Sequence, residues 1–455
     1  MKKLSTLVFI LLVSFCFIFA GCSSAPLNMP TNYTKVTSNG GFVVGAGNYL
    51  YFANAYQSYE NLKSKEDNDG AGVKQYSLKR VQTENNKDLK LDDEQNIVFE
   101  NVLNKIAGYE TSNMYVVGEY LYFTSPNVHK SDSKEQDKYN QYEFELSTLF
   151  RIKLDGSNLS EIYTTETSTA KFYLTGGNKQ SILIYDDEKI LQVKCFENST
   201  KVNTLAENVK STVFPYDQGL EFVNIYFTTS REEDSKLNGN ILNKLNLVTG
   251  ETKEVQGYSN NNETITLISY NGERLFYTRT GVESRKGLYF NDFSNGLASE
   301  LKRRYDTDSF NATSKIYIIK TAEDYDVDAF VFEYNNNIWI QDIESDNDSA
   351  CEKLTSESST ISFVDGTYVY FTTENGIYRV SVLTKTIEQI SDVKDFNADK
   401  IDFDGRFLYF YAKVDGATTD TKYLYRADTK LSLKTECIAE LLEEDIKEES
   451  EIVEE

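Results

Sequence analysis

Short apolar strands separated by turns recur along most of the chain. Each copy is a run of four residues dominated by aromatic and branched aliphatic side chains, and successive copies lie about 40 to 70 residues apart. The eight copies are Tyr49–Phe52, Tyr120–Phe123, Ile182–Tyr185, Asn224–Phe227, Arg274–Tyr277, Ala329–Phe332, Tyr368–Phe371 and Phe407–Phe410. Such runs are typical of β-strands. The pattern therefore predicts an all-β fold built from a repeated unit.

A second kind of strand follows several of these copies. It alternates apolar and polar residues, which is the pattern of a half-buried antiparallel strand. It occurs at Leu149–Gly156, Asn243–Gly250, Ile338–Ile343, Ile377–Val382 and Leu424–Asp428. Each unit would then supply four short strands, and a closed ring of such sheets buries both faces of every sheet. We therefore predict a β-propeller of four-stranded antiparallel blades.

Three dipeptides mark tight turns in front of the aromatic strands: Asn271-Gly272, Asp365-Gly366 and Asp404-Gly405. Asn-Gly and Asp-Gly pairs tolerate positive φ at both central positions of a turn. These dipeptides therefore predict two-residue hairpins between the aromatic strand and the strand before it.

The number of copies favours eight blades. A ring of six or seven would result if the unit around Ile182–Lys194, or the loop-rich first unit, does not form a full sheet. Two ways of closing the ring also stay open: an N-terminal strand at about residues 32–37, or no such strand.

The N-terminus has the layout of a secretory signal. A positive head, Met1-Lys2-Lys3, precedes an apolar run from Leu7 to Ala20, which is shorter than the ~20 residues of a membrane-spanning helix. The last two residues of this run and the two that follow it, Phe19-Ala20-Gly21-Cys22, resemble a bacterial lipobox. The resemblance implies cleavage between Gly21 and Cys22 and a diacylglyceryl group on the Cys22 thiol. The alternatives are an ordinary signal peptide and an uncleaved anchor helix.

These features divide the chain into four parts. We predict a signal peptide at residues 1–21, a lipid-anchored tether at 22–37, the propeller at 38–440 and an acidic, disordered tail at 441–455. Long polar connections at Tyr56–Gly72 and Ser125–Glu145 interrupt the first two units, and such loops often carry binding surfaces. The predicted location is the outer face of a bacterial cell membrane.

The charge of the chain excludes one class of partner. The formal net charge is -24, and removal of Lys2 and Lys3 with the signal takes it to about -26. A chain this acidic is repelled by phosphate backbones, so we expect no nucleic-acid partner. Three widely spaced cysteines, Cys195, Cys351 and Cys437, contain no CxxC pair, which favours buried thiols over a disulfide framework or a zinc module.

The strand sequences also carry a family resemblance. Leu121–Thr124, Ile225–Thr228 and Val369–Thr372 resemble the Tyr-Trp-Thr-Asp strand of low-density-lipoprotein-receptor-type propellers, and Leu149–Asn158 resembles the strand and Leu-Asp-Gly turn that follow it. Bacterial lipoproteins with a domain of unknown function similar to these propellers are the implied family. The departures are Phe in place of Trp, a missing Asp, and eight units where the animal propellers have six.

Few residues in the chain suggest chemistry. His129 is the only histidine, and the sequence contains no GxSxG, HExxH, GxGxxG or Walker motif. Asp324, Asp326 and Asp328 place three carboxylates at a spacing of two, which makes them weak calcium candidates, with Asp342–Asp348 as a second acidic cluster. Solvated turn acids are the alternative interpretation. We predict no catalytic residues and no cofactor other than this calcium candidate.

Three functions are compatible with the sequence. The leading hypothesis is a surface lipoprotein that is attached to the membrane through Cys22 and binds an extracellular protein or glycan without catalysis. The second is a scaffolding subunit of a membrane-associated complex, which would need an apolar patch on the outer rim. The third is a carboxylate-dependent polysaccharide hydrolase or lyase, which would need two or more acids with raised pKa values in the central channel.

Overall fold

The computed structural model describes residues 26–53, 55–56, 78–84, 88–96, 113–126, 146–230, 239–255, 263–283, 286–292, 297–301, 314–320, 328–343, 351–415, 417 and 421–439. These residues form eight antiparallel sheets, each with a core of four strands that follow one another in the chain. The repeated aromatic runs are the second strands of these cores. The prediction of an all-β propeller with eight four-stranded blades is confirmed.

The strands of blades I to IV are as follows. Blade I contains β1 (Val36–Thr37), β2 (Val43–Ala46), β3 (Tyr49–Ala53), β5 (Leu78–Glu84) and β6 (Asp88–Asn96), and β4 (Ala55–Tyr56) lies between β3 and β5 in the chain. Blade II contains β7 (Met114–Val117), β8 (Tyr120–Pro126), β9 (Ser147–Lys153) and β10 (Ser160–Thr164). Blade III contains β11 (Lys171–Leu174), β12 (Ile182–Asp186), β13 (Lys189–Val193) and β14 (Val202–Ala206), with a 3-10 turn at Cys195–Glu197. Blade IV contains β15 (Val209–Val213), β16 (Asn224–Ser230), β17 (Asn240–Asn246) and β18 (Thr252–Glu254).

The strands of blades V to VIII continue the series. Blade V contains β19 (Thr264–Tyr270), β20 (Arg274–Thr280), β21 (Gly287–Asp292) and β22 (Leu297–Leu301). Blade VI contains β23 (Ile316–Lys320), β24 (Asp328–Tyr334), β25 (Asn337–Asp342) and β26 (Glu352–Lys353). Blade VII contains β27 (Thr360–Asp365), β28 (Tyr368–Thr373), β29 (Gly376–Ser381) and β30 (Ile387–Ser391). Blade VIII contains β31 (Phe396–Phe403), β32 (Phe407–Ala412), β33 (Lys422–Asp428) and β34 (Thr435–Cys437).

The apolar core lies between neighbouring blades. Val331 of blade VI and Phe371 of blade VII belong to one buried cluster, and Tyr370 of blade VII and Phe410 of blade VIII belong to the next. Because each sheet is covered on both faces, its second strand does not alternate between apolar and polar residues, and all six residues of β32 are buried. Packing between blades therefore explains the continuous aromatic runs in the sequence.

The innermost strands of successive blades contact each other around the axis. These contacts join β2 to β7, β15 to β19, β19 to β23, β23 to β27 and β27 to β31. Each of these strands is the first of its four-stranded core. The first strands therefore line a central channel, and the fourth strands lie on the outer rim.

The turn prediction is only partly correct. Gly272, Gly366 and Gly405 all have positive φ, as predicted, but a two-residue turn is found only between Asp365 and Tyr368. The other two connections have three residues, because the side chain of the first one accepts backbone hydrogen bonds. Asn271 Oδ1 accepts from the amide of Arg274, and Asp404 Oδ1 accepts from the amides of Arg406 and Phe407.

Blade VIII meets blade I where the two ends of the chain come together, and we call this boundary the seam. β1 pairs with β2 of its own blade, so the ring closes without an N-terminal strand at residues 32–37, which is the second of the two predicted alternatives. Instead, β4 pairs with β33, with Ala55 opposite Tyr423, and one apolar cluster includes residues of both blades. The amide of Val43 also donates to Asp402 Oδ2 at 3.1 Å. The ring closes by packing and by these few polar contacts.

A single hydroxyl contributes to this closure. Tyr411 Oη donates to the carbonyl oxygen of Ala53 across the seam at 2.7 Å, and both residues are buried. We expect Tyr411→Phe to lower the free energy of unfolding by about 1–2 kcal/mol in urea denaturation, because a buried carbonyl loses its partner. Tyr185→Phe, whose hydroxyl lies 3.1 Å from the carbonyl of the exposed Lys210 and 3.3 Å from that of Val209, is the control. It should cost less than Tyr411→Phe, because the Lys210 carbonyl stays accessible to water. Equal losses in the two variants would contradict a role in closure.

The described part of the predicted tether lies against the propeller. Leu27, Met29 and Tyr33 pack on the apolar cluster of blade I, and the Leu27 amide donates to the carbonyl of Asp155 in blade II at 2.8 Å. The N-terminal segment from residue 26 onward is therefore part of the packed structure. Within the described residues, no helix has the length and hydropathy that a membrane span requires.

Candidate functional site

The N-terminal segment enters the central channel. β1 lies on the axial side of β2, and the turn that follows, Ser38–Gly41, reaches the innermost strand of blade II, where the Gly40 amide donates to the carbonyl of Met114 at 2.8 Å. A Cβ added at Gly41 would lie 1.8 Å from Asp402 Oδ2, so this close approach requires glycine. The chain therefore fills part of its own channel.

A second segment, Phe214–Gly219, crosses the channel from blade IV. The Tyr216 amide donates to the Tyr270 carbonyl of blade V at 3.0 Å. The Tyr216 hydroxyl accepts from the Ile318 amide of blade VI at 3.2 Å. On the opposite side, Gln218 Oε1 accepts from the amide of Leu174 in blade III at 2.8 Å. We call this segment the axial plug, because it is hydrogen-bonded to the innermost strands of three other blades.

Two carboxyl groups of the channel have raised pKa values. Burial raises the pKa of Asp402 to about 7, against the opposing effect of hydrogen bonds from the Val43 and Phe403 amides. Burial, followed by the negative charge of Asp365, raises the pKa of Asp217 to about 6. Raised pKa values are one requirement of the carboxylate-dependent enzyme hypothesis. The channel around these acids, however, holds the N-terminal turn and the axial plug.

The predicted site residues lie mostly outside the described residues. These include Gly21, Cys22, His129, Asp324 and Asp326, whereas Asp328 begins β24 and has its backbone paired with Lys320. No group of three or more His, Cys, Asp or Glu side chains within the described ranges could hold a metal ion. Among the described residues, Cys195, Cys351 and Cys437 form no disulfide bond. Of the predicted calcium ligands, the described part of the chain therefore contains only Asp328.

A repeated arginine that the sequence analysis did not identify lies on the third strands of four adjacent blades. Its guanidinium carbon lies 4.2–4.5 Å from the centroid of an aromatic ring at the start of the second strand. The four pairs are Arg80–Tyr49, Arg151–Tyr120, Arg379–Tyr368 and Arg426–Phe407. Cation–π contacts of this kind stabilise a protein and also hold the guanidinium in a fixed direction.

Two of these arginines join neighbouring blades. Arg80 of blade I donates to the carbonyl of Leu154 in blade II at 2.9 Å, and Arg151 of blade II donates to the carbonyl of Asn198 in blade III at 2.9 Å. Arg426 of blade VIII instead pairs with Glu436 of its own blade through Nε. The repeat therefore connects blades I to III, whereas at the seam its arginine faces a cavity.

This cavity, which we call the seam pocket, has a volume of about 330 Å³ and lies between blades I and VIII. Its basic residues are Lys35, Arg406, Arg426 and Lys430, its aromatic residues are Tyr49, Phe407 and Tyr409, and its one acidic lining residue is Asp404. Ligand pockets in proteins have volumes of about 300–1,000 Å³. The seam pocket is thus large enough for a ligand of monosaccharide size, and it is basic in a chain of net charge -24.

Hydrogen bonds and ion pairs hold the pocket wall in place. Arg406 Nη2 lies 2.6 Å from Asp428 Oδ2. Burial raises the pKa of Asp428, but the hydrogen bonds from Arg406 and from the Lys430 amide outweigh this effect, so the pKa lies below its usual value. The guanidinium carbons of Arg406 and Arg426 lie 4.7 and 4.5 Å from the centroid of Phe407. Asp404 is engaged as well, because Tyr409 Oη donates to its Oδ2 at 2.9 Å. The wall is therefore preorganised.

The sequence contained a signal for this site. Arginine occupies the same position of the third strand in "LFRI", "IYRV" and "LYRA", at Arg151, Arg379 and Arg426. That repetition predicts a common structural role for the arginine. It does not reveal that the last copy faces the first blade, because that contact depends on how the ring closes.

Comparison with known proteins extends only to the fold. No family model matches the chain, and no curated protein matches it. Among solved structures, an oligogalacturonate lyase from Vibrio parahaemolyticus is 9% identical, with 86% of this chain and 98% of that chain covered and a TM-score of 0.41. TolB from Acinetobacter baumannii is 13% identical, with coverages of 75% and 79% and a TM-score of 0.31. A puromycin hydrolase is 10% identical, with coverages of 72% and 53% and a TM-score of 0.42. These similarities assign no activity to this chain.

Proposed function

We propose that this protein is a lipid-anchored β-propeller on the outer face of a bacterial cell membrane, where it binds an extracellular protein or glycan without catalysis. The observation that carries the binding role is the seam pocket, which combines basic groups and aromatic faces in a cavity of ligand size. In this proposal the signal peptide is cleaved between Gly21 and Cys22, and Cys22 carries the lipid.

The arrangement of the channel supports a role without catalysis. A carboxylate-dependent hydrolase or lyase needs two acids that face one substrate from opposite sides. Asp402 accepts hydrogen bonds from the Val43 and Phe403 amides, and the acid whose charge acts on Asp217 is Asp365. The two acids with raised pKa values are thus engaged with separate neighbours, and the N-terminal turn and the axial plug occupy the channel between the blades.

The proposed anchor would hold the propeller close to the membrane. Leu27, whose amide is bonded to the carbonyl of Asp155 in blade II, lies five positions after Cys22 in the chain. A fully extended chain spans at most about 3.6 Å per residue, so this segment reaches at most about 18 Å. The turn of blade II that contains Asp155 would accordingly lie near the bilayer surface.

Exposed aliphatic residues on blades VII and VIII support scaffolding as a second candidate function. Ile387, Leu431 and Leu433 are 45%, 47% and 49% exposed, and Leu383 is 38% exposed. The amide of Leu433 donates to the carbonyl of Ile390 at 3.2 Å, which places the turn of blade VIII beside β30. A partner that docks on this rim would favour scaffolding over binding in the seam pocket.

Cell fractionation and an activity assay test the proposal together. We expect the wild-type chain in the membrane fraction of a bacterial host, released only by detergent, and Cys22→Ser in the soluble fraction. Cys16→Ser changes the other cysteine of the signal and should leave the chain in the membrane fraction. Incubation with cell-wall polysaccharides should leave their reducing ends unchanged. If wild type shortens the polysaccharide and Asp217→Asn or Asp402→Asn does not, the protein would instead be a carboxylate-dependent enzyme.

A further inference from the structure

We infer that the seam pocket binds an anionic ligand of monosaccharide size, one that carries a carboxylate or a phosphate group on a body with an apolar face. This inference deepens the proposed function, because it names the chemical class of ligand for the same pocket. It follows from the basic groups of the pocket, its aromatic surface and its position between the first and last blades.

The charge of the pocket selects for an anion. Four basic side chains and one acid line the cavity, and even when Asp428 and Glu436 behind the wall are included, the basic groups are in excess by one. Lys35 and Lys430 are exposed, and neither forms an ion pair within the described ranges. Because the chain as a whole is strongly acidic, this local excess of positive charge is the opposite of what composition predicts.

The donors of the pocket match the geometry of a carboxylate or a phosphate. Arg426 pairs with Glu436 through Nε, and this leaves the N–H donors on its two Nη atoms for a ligand or water. A guanidinium presents such donors in a planar fork that binds two oxygens of one anionic group, and a lysine adds a mobile point charge. The wall that carries Arg426 is already held by Phe407, so a ligand would not have to order it.

The aromatic residues of the pocket favour a ligand that has an apolar face. Phe407 is buried, and its ring contacts the guanidinium groups of Arg406 and Arg426. The ring of Tyr49, which Arg80 contacts on one face, is partly exposed on the blade I side of the cavity. Aromatic rings favour ligands that have an apolar face beside their polar groups, as sugar rings do. A bare inorganic anion would use only the charged part of the pocket, so a sugar acid or a sugar phosphate should bind more tightly.

A ligand in this position would also stabilise the folded state. It would touch blade I through Lys35 and Tyr49 and blade VIII through Arg426 and Lys430, and these are the blades that close the ring. Any ligand that binds only the folded state stabilises it in proportion to the logarithm of its concentration above the dissociation constant. Binding in the seam pocket should therefore raise the melting temperature.

Calorimetric titration and thermal denaturation of the chain from Ser23 to Glu455 test this inference, with glucuronate, glucose 6-phosphate, inorganic phosphate and glucose at constant ionic strength. We expect saturable binding and a raised melting temperature with the two sugar anions, weaker binding of phosphate and none of glucose. The double variant Lys35→Ala/Lys430→Ala should bind the sugar anions about tenfold more weakly or worse, because it removes two charged contacts.

A matched variant separates the pocket from the general effect of charge. Lys179→Ala/Lys201→Ala removes two exposed lysines of blade III and changes the net charge equally, and its affinities should stay within about twofold of wild type. Equal losses in both double variants, binding of glucose, or no binding of any anion would overturn the inference. Phosphate that binds as tightly as glucose 6-phosphate would overturn the part played by the aromatic faces.

The same data distinguish this inference from the proposed function. Anion binding by a chain that stays soluble in the cell, or that shortens polysaccharide, would uphold the pocket and defeat the lipid-anchored, non-catalytic role. Membrane attachment through Cys22 without anion binding would defeat the ligand class and leave the anchor in place.

Discussion

Replacement of Glu263 by Gln is expected to lower the free energy of unfolding by about 3–5 kcal/mol, the largest effect that we predict for a single side chain. Glu263 pairs with Arg279 inside blade V, and the two side chains are only 1% and 8% exposed. Loss of the Glu263 charge removes a buried counter-charge of the Arg279 guanidinium, which costs far more than the lost contact itself. Urea denaturation, with the melting temperature as a second measure, would record the change.

A similar pair at the surface provides the control. Arg379 and Glu388 of blade VII also join arginine to glutamate, at 2.6 Å, but Glu388 is 46% exposed. Glu388→Gln should therefore cost less than about 1 kcal/mol, because water solvates the remaining charge. The double variant Glu263→Leu/Arg279→Met should recover part of the stability, because the two buried charges of the pair are removed together. A loss for Glu263→Gln as small as that for Glu388→Gln would contradict the burial argument.

The second large effect concerns the dependence of stability on pH. Burial raises the pKa of Asp402 from 3.8 to about 7, so the folded state holds this proton more tightly than the unfolded state does. The stabilisation is complete below pH 4 and is lost as the pH rises through 7. The shift corresponds to at most about 4 kcal/mol. We therefore expect the stability of Asp402→Asn relative to wild type to rise by at least about 1 kcal/mol between pH 4 and pH 8.

Chemical denaturation across pH 4–8 measures this difference, because the other titrating groups cancel between wild type and variant. Asn keeps one oxygen, which can accept from the Val43 amide, and loses the acceptor that faces the Phe403 amide. The cost of that lost contact does not depend on pH, so the change of the difference with pH reports the charge of Asp402. Glu207→Gln alters one exposed acid and should follow the wild-type curve at every pH. An Asp402→Asn curve that also runs parallel to wild type would show that the pKa of Asp402 is the same in the folded and unfolded states.

The position of the seam pocket has a physical reason. In a closed ring, blades I and VIII are the only neighbours in the ring that are far apart in sequence, so no short connection joins them. Their contact is made by β4 with β33, by the Tyr411 hydroxyl and by Asp402, and the pocket lies beside these contacts. A ligand that bridges two such blades can stabilise the ring more directly than one that binds within a single sheet.

The sequence determined much of the architecture by itself. The eight aromatic runs became the eight second strands because each blade buries both faces of its sheet, and burial on both faces requires continuous apolar residues. The positive φ of Gly272, Gly366 and Gly405 was also readable, because it depends on residues adjacent in the chain. The sequence did not predict the length of two of those turns, because the side chains of Asn271 and Asp404 accept backbone hydrogen bonds that extend them.

Only the tertiary structure decided where the chain comes back on itself. The N-terminal turn and the axial plug occupy the channel because they find hydrogen-bond partners such as Met114 and Tyr270 in distant blades, and no local pattern encodes such partners. In the same way, Lys35 and Arg426 lie almost four hundred residues apart and meet only because the ring closes. Local periodicity reports which face of a strand is buried, whereas a site built from both ends of the chain depends on long-range packing that a one-dimensional pattern does not contain.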